Sequence, residues 1–284
     1  MIVALDHTVL VCPDLDAATA ELTLLLGRQP VWMTEADGKG SALYRVDNTA
    51  LELIAPIGPG AQPDRLRQIL DDAGGPVLTS LVFASDDLAA DHHRFGRRGL
   101  GPNKVISSSS KDLQTDEVRN WERFRLADEA MAGIKTFVIA RQSEKLKQQE
   151  ATGDQVHSLD HLVVNTSNPE RAVATYGGRL GLNLALDRTA PDWGVRFLFF
   201  LVGGLTLEVV HKLNEPPTDQ DQLWGLTWAV NDLPEAKARL DKAGVTTSEI
   251  RIGRKPGSEV FTVKSHTLGV PTLFICHTPR QKSR

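Results

Sequence analysis

With 284 residues, 41% of them apolar and 24% charged, the chain has an ordinary globular composition and the length of about two domains. A net charge of −4 argues against a general electrostatic grip on nucleic acid, which needs a clustered basic surface. Cys12 and Cys276, in opposite halves, exclude a disulfide scaffold and a thiolate zinc motif, and no apolar run is long enough to span a bilayer. Met1-Ile2-Val3-Ala4 runs straight into Asp6-His7 without a basic or long apolar leader, so a cytoplasmic protein is expected.

Taken in chain order, one pattern recurs four times: a short apolar strand, an Asp or Asn helix start, an amphipathic helix and a glycine. Unit one has a strand over 7–11, then Asp14 and Gly27, with further strands predicted over 30–33, 41–46 and 50–55. The turn pairs Asp37-Gly38 and Asp47-Asn48 separate those strands, and the Pro- and Gly-rich stretch 56–62 reads as a linker. Unit two has 81–84, Asp87 and Gly99, followed by a polar insertion at Ser107 to Ser110 that reads as a solvated loop. The charged stretch 142–155 joins the two halves. Unit three has 161–164, Asn168 and Gly181, with strands predicted over 183–187, 195–201 and 205–211. Residues 214–222 lead to unit four, which has 228–230, Asp232 and Gly244; the basic tail 279–284 is expected to be disordered.

From helix start to glycine the spacings are 13, 12, 13 and 12 residues. The Asp or Asn side chain can accept from a free helical N–H, and glycine can take the left-handed conformation that ends a helix. Each unit therefore reads β-α-β-β-β, an α+β chain built by duplication.

The tripeptide Leu5-Asp6-His7 recurs as Leu159-Asp160-His161. Each copy is followed by a glutamate in an apolar strand, Glu52 after 45 residues and Glu208 after 47. An unpaired carboxylate is costly to bury between branched apolar neighbours, so both glutamates should face a cavity with a partner or water. A histidine and a carboxylate at matching places in two repeats look like metal ligands. Trp121, Arg123 and Arg125 alternate on one strand face, where two arginines beside an indole could clamp a carboxylate. Arg196, inside an apolar run, wants an anion such as Glu208 or a substrate carboxylate, and His266 sits at a strand turn.

The four units, the Leu-Asp-His opening strands and the Leu-Glu closing strands together resemble the vicinal oxygen chelate superfamily. It includes glyoxalase I, extradiol dioxygenases, bleomycin resistance proteins and epimerases. Trp121 to Arg125 with Gly133 to Ile139, and Gly269 to Ile275, resemble the ends of such domains. The resemblance implies two glyoxalase-like domains with curved mixed sheets: 1–141 (modules 1–58 and 76–141) and 156–284 (modules 156–213 and 223–278), joined by 142–155. It implies a divalent metal (Zn, Ni, Mn or Fe) held by His7, Glu52, His161 and Glu208.

The positions matching these ligands in the other two units are expected near Ser80, Phe137, Thr227 and Phe274, none of them a good ligand. If unit one pairs with two and three with four, each cup holds one His and one Glu, where a catalytic zinc normally takes three protein ligands. Three outcomes follow: a third ligand among His211, His266 and His277; units one and three meeting within the chain or across a homodimer; or no metal, with His and Glu as an acid–base pair. The expected function is a lyase, isomerase or epimerase acting on a small oxygen-rich metabolite. In it Glu52 or Glu208 moves a proton, and Trp121, Arg123, Arg196 and His266 bind substrate. The alternative is a metal-free binding or drug-sequestering protein. Ring-cleaving dioxygenation ranks lower, because neither standard pair supplies two His and one carboxylate.

Overall fold

The computed structural model describes residues 1–143, 146 and 150–277. The expected tail 279–284 and part of the expected linker 142–155 lie outside the described residues. Two eight-stranded mixed sheets form. The first runs β1 (Ile2–Val11), β2 (Trp32–Ala36), β3 (Lys39–Arg45), β4 (Ala50–Pro56), β5 (Val77–Ser85), β6 (Ile106–Lys111), β7 (Val118–Arg125) and β8 (Lys135–Arg141). The second runs β9 (Val156–Asn165), β10 (Asn183–Ala190), β11 (Val195–Val202), β12 (Leu205–Lys212), β13 (Gln222–Val230), β14 (Arg251–Ile252), β15 (Ser258–Val263) and β16 (Thr272–His277). Their strand orders are the same, β2-β3-β4-β1-β5-β8-β7-β6 and β10-β11-β12-β9-β13-β16-β15-β14. Unit one thus pairs with two through β1 and β5, and unit three with four through β9 and β13.

The four helix starts are capped as their side chains allow. Asp14 accepts from Ala17 N at 2.9 Å, Asp87 from Ala90 N at 3.0 Å, Asn168 from Arg171 N at 2.9 Å and Asp232 from Glu235 N at 2.8 Å. These caps open α1 (Leu15–Leu26), α3 (Leu88–Arg97), α4 (Pro169–Ala172, continuing as a π-helix over Val173–Arg179) and α5 (Leu233–Lys242). Two elements depart from the sequence reading. A helix α2 (Ala61–Ala73) stands between units one and two. Ser107–Ser110 is not a loop but most of edge strand β6, laddered to β7 from Ile106↔Arg123 to Lys111↔Val118.

Alternation sorts each strand. In β4, Leu51, Leu53 and Ala55 face the core while Glu52 and Ile54 face the other way. The two sheets dock side by side. Asn48 donates to Leu159 O (2.8 Å) and Gly204 O (3.1 Å) and accepts from Leu159 N (3.1 Å), while Arg28 donates to Val156 O. A single buried cluster runs through both, from Leu5, Leu26 and Phe83 to Leu159, Trp228 and Phe261. Among the described residues no helix is long and apolar enough to cross a membrane.

Candidate active site

The Leu-Asp-His repeat is a β-bulge. In the β1–β5 ladder Leu5 opposes Phe83 and His7 opposes Val82, leaving Asp6 as an extra residue. In β9–β13, Leu159 opposes Trp228 and His161 opposes Thr227, leaving Asp160 extra. A bulge re-aims consecutive side chains. The leucine enters the core, and the aspartate and histidine lie side by side.

Asp6 Oδ1 contacts His7 Nδ1 at 2.7 Å, and Asp6 also takes Arg141 from the end of β8 at 2.7 Å. His7 Nε2 lies 3.3 Å from Glu52 Oε2. Burial alone would lower the His7 pKa, but Asp6 and Glu52 overcome it and lift it to about 9. Burial would raise Glu52, yet His7, a hydrogen bond from Ser41 and the charge of Arg119 hold it below the usual carboxylate range. Near neutral pH the pair is therefore an imidazolium beside a carboxylate.

This pair lines a cavity of about 560 Å³ on the face of the first sheet away from the core. Val9, Val82 and Ile139 form its apolar floor, with Ile54, Trp121 and Phe137 packed against them. From α2, Leu66 and Ile69 close one side. The walls are basic. Arg119 lies over the Trp32 ring at 4.4 Å and near Trp121 at 5.8 Å, and Arg123 over Phe137 at 5.2 Å. Arg119 is the residue that sequence reasoning missed. It precedes Trp121 by two in the same strand, so the alternation that picked out 121, 123 and 125 already contained the signal.

The second sheet repeats the dyad with a different lining. His161 Nδ1 lies 2.9 Å from Asp160, and its Nε2 is 3.2 Å from Glu208 and 2.8 Å from Thr227 Oγ1. His277, at the place of Arg141, reaches Asp160 at 2.5 Å. Burial here raises the Glu208 pKa, since His161 and Arg254 offset it only in part.

Other expected residues lie elsewhere. Arg196 is engaged by Asp187 (2.8 Å) and Glu170 (2.6 Å), not by Glu208, because in β11 it opposes His211 while Phe199 opposes Glu208. His266 is exposed in the turn before β16 and contacts Ser265. His211 turns to Thr166 O at 3.1 Å.

A resident divalent metal does not fit the donors present. The β5 strand has its own bulge at Thr79, as β1 has at Asp6, so the His7 counterpart in unit two is Ser80; Glu52 opposes Val9 as Phe137 opposes Val82, so the Glu52 counterpart is Phe137. In the second sheet the β13 bulge at Trp224 puts Gly225 at the His161 position, and Leu273, opposite Thr227 as Glu208 is opposite Val163, takes the Glu208 position. The expected positions Thr227 and Phe274 are therefore corrected to Gly225 and Leu273, while the ladder of the first sheet gives Ser80 and Phe137 as expected, and none of the four is a good ligand. The first cavity contains neither His161 nor Glu208, so units one and three do not pool ligands within the chain. Among the described residues no three His, Cys, Asp or Glu side chains are grouped to hold a metal ion. Arg119 and Arg123 also place positive charge near Glu52.

Comparison with known proteins agrees with this architecture. Residues 5–177 match the model of the family described as Glyoxalase-like domain, and residues 160–261 match the Glyoxalase/Bleomycin resistance protein/Dioxygenase superfamily. The ethylmalonyl-CoA/methylmalonyl-CoA epimerase of Cereibacter sphaeroides is 26% identical over 125 residues, 41% of this chain and 86% of that one. A mutant 4-hydroxymandelate synthase from Streptomyces coelicolor superposes with a TM-score of 0.70 at 14% identity, over 97% of this chain and 93% of that one. The Mn(II)-bound glyoxalase from Novosphingobium aromaticivorans gives 0.65 at 15% identity, over 97% and 82%. At these identities the structural likenesses speak for the fold alone. The match to more than half of its length makes this chain a member of the glyoxalase-like domain family, within the vicinal oxygen chelate superfamily.

Proposed function

We propose that the first cup carries out a redox-neutral proton shift on a small oxygen-bearing metabolite, of the isomerase or epimerase kind, run by His7 and Glu52 without a resident metal. One observation carries this reading: a half-buried imidazolium–carboxylate pair faces a cavity of substrate size. Two groups whose environments push their pKa values apart supply an acid and a base. His7 Nε2–H would donate to a substrate carbonyl oxygen, and Glu52 would take the proton from the adjacent carbon. As the carbonyl draws Nε2–H away, Glu52 loses its hydrogen bond and becomes a stronger base. Asp6 holds the ring from the other side, and the apolar floor excludes water. The proton on Glu52 then passes to the neighbouring atom, which isomerises the substrate, or to the opposite face of the same carbon once the planar enol has turned over in the cup, which epimerises it. The epimerase relative supports this reaction class. Each cup is assembled within one chain, so the mechanism needs no second copy.

The test is deuterium uptake from D2O into a panel of 2-substituted acyl thioesters, α-hydroxy ketones and 2-oxo acids, followed by NMR in chelator. Wild-type protein should label at least one class, and Glu52→Gln should slow labelling by about 10²–10⁴. Labelling that survives Glu52→Gln, appears only with added divalent metal, or occurs with no panel member would overturn the reading. A second reading, binding without turnover, is favoured by Arg119 and Arg123, which make no carboxylate ion pair among the described residues, and it predicts affinity with no labelling.

A further inference from the structure

We infer that the first cup recognises an elongated dianion, with one acidic head on Arg119 and Arg123 beside Glu52 and the other on Lys135 and Arg65 at the α2 end. This deepens the proposed function and rests on it for the location of the reacting carbon.

The charge balance of the cavity points to a missing anion. Seven lysines and arginines line it against three acids. Two of those acids are already committed, Asp6 to His7 and Arg141 and Glu52 to His7. Arg125 is paired with Asp128. Arg119, Arg123, Arg65 and Lys135 make no carboxylate ion pair among the described residues, and Arg119 Nε is buried without a hydrogen-bond partner. Among the described residues Arg123 is held by a 3.4 Å contact to Ser108 and by the Phe137 ring. Leaving the half-buried guanidinium groups of Arg119 and Arg123 without a carboxylate is unfavourable unless an anion arrives to use their planar fork.

Duplication supplies an internal control. Along β8, Arg141, Ile139 and Phe137 oppose Trp121, Arg123 and Arg125. Along β16 the matching His277, Ile275 and Leu273 oppose Ser258, Val260 and Thr262. The same fold is therefore built in the second sheet with uncharged side chains at these three positions, so the fold does not require Arg123 or Arg125. Helix α2 likewise separates the units of the first sheet, where the second has only the segment between Lys212 and Gln222.

The cations fall into two centres. Arg119 and Arg123 both feel the charge of Glu52. Lys135 feels Arg65 and Arg125 instead, and it opposes Ser80 at the start of β8. Lys135 lies four residues along β8 from Ile139, the residue opposite Arg123, roughly 13 Å of extended strand. One compact anion cannot satisfy both centres. The inner head fits a carboxylate next to the proton-transfer pair, and the outer head fits a second carboxylate or a phosphate.

The test is calorimetric titration of the full chain with α,ω-dicarboxylates of increasing length and with ω-phosphonocarboxylates, against acetate and methylphosphonate. At least one dianion should bind ten-fold or more tighter than either monoanion, and the better series identifies the outer head. Arg119→Met or Arg123→Met should weaken it at least ten-fold, as should Lys135→Met. Arg65→Gln, on an exposed helix surface, should weaken it without changing the melting temperature, which keeps the test open if an inner variant misfolds. Glu52→Gln should bind as well or better while losing proton exchange, so failure of the acid–base reading and failure of this one are read separately. Equal affinity for monoanions and dianions, or unchanged affinity in the Arg119 and Arg65 variants, would overturn the inference.

Discussion

At the scale of single residues, the Leu-Asp-His motif is legible in the sequence but its reason is not. Repetition identifies His7, His161, Glu52 and Glu208 as a set. The bulge at Asp6 and Asp160 is a backbone event, and an extra residue shifts every register drawn past it. Counting along unbroken strands therefore places the His161 counterpart at Thr227, two residues past Gly225, where the bulge at Trp224 puts it. The same dyad makes stability depend on pH in a defined direction. The His7 pKa rises from 6.5 to about 9 on folding, so its contribution is complete below about pH 6.5 and is lost as pH climbs through 9. Asp6 and Glu52 are held below their usual range. Their contribution is complete above the ordinary carboxylate range, near 4, and falls in acid. Stability from this cluster should therefore be greatest between about pH 4.5 and 6.5. Thermal melts of wild type and His7→Asn from about pH 5 to 10 check it. The gap between the two should narrow steadily above pH 6.5, and a constant gap would remove His7 from the account.

At the scale of elements, helix starts carrying an Asp or Asn cap are found from the sequence, and α2 is not. Its N-terminus is Gly60, with no side-chain cap bond, and Pro63 in its first turn reads as a linker signal although proline is tolerated there. Strand β6 is hidden because four serines carry little strand preference, and only its partner β7 fixes it. The contact between the sheets is also invisible locally. Gly203, in the turn between β11 and β12, has φ of +56°, and a Cβ there would lie 2.6 Å from Ala4 Cα and 3.1 Å from Val3 O. Gly203→Ala should therefore both strain the turn and push the second sheet off β1. A loss of about 2–3 kcal/mol in urea denaturation is expected, against a few tenths for Gly178→Ala, where nothing lies within 4 Å. Equal effects at the two glycines would show that the sheets do not meet at this turn.

At the scale of the whole molecule, the net charge of −4 conceals a basic cup, because composition averages over a surface that the fold partitions. Nor does the duplication make two independent bodies. Core residues of both sheets belong to one buried cluster, and Arg239 from α5 donates to Leu25 O at the end of α1 while Glu21 of α1 accepts from Leu268 N at 2.6 Å. Separating the sheets would expose apolar surface and strand these polar groups together, so partial unfolding should be unfavourable compared with unfolding the whole. Calorimetry should then show one transition, with van't Hoff and calorimetric enthalpies in agreement. An anion that binds only the native first cup should move that single transition upward as a unit. It should also slow amide exchange in β9–β13, far from the ligand. Two resolved transitions, with only the first shifted by ligand, would mean that the shared core does not couple the halves, and each cup would then answer to its own sheet alone.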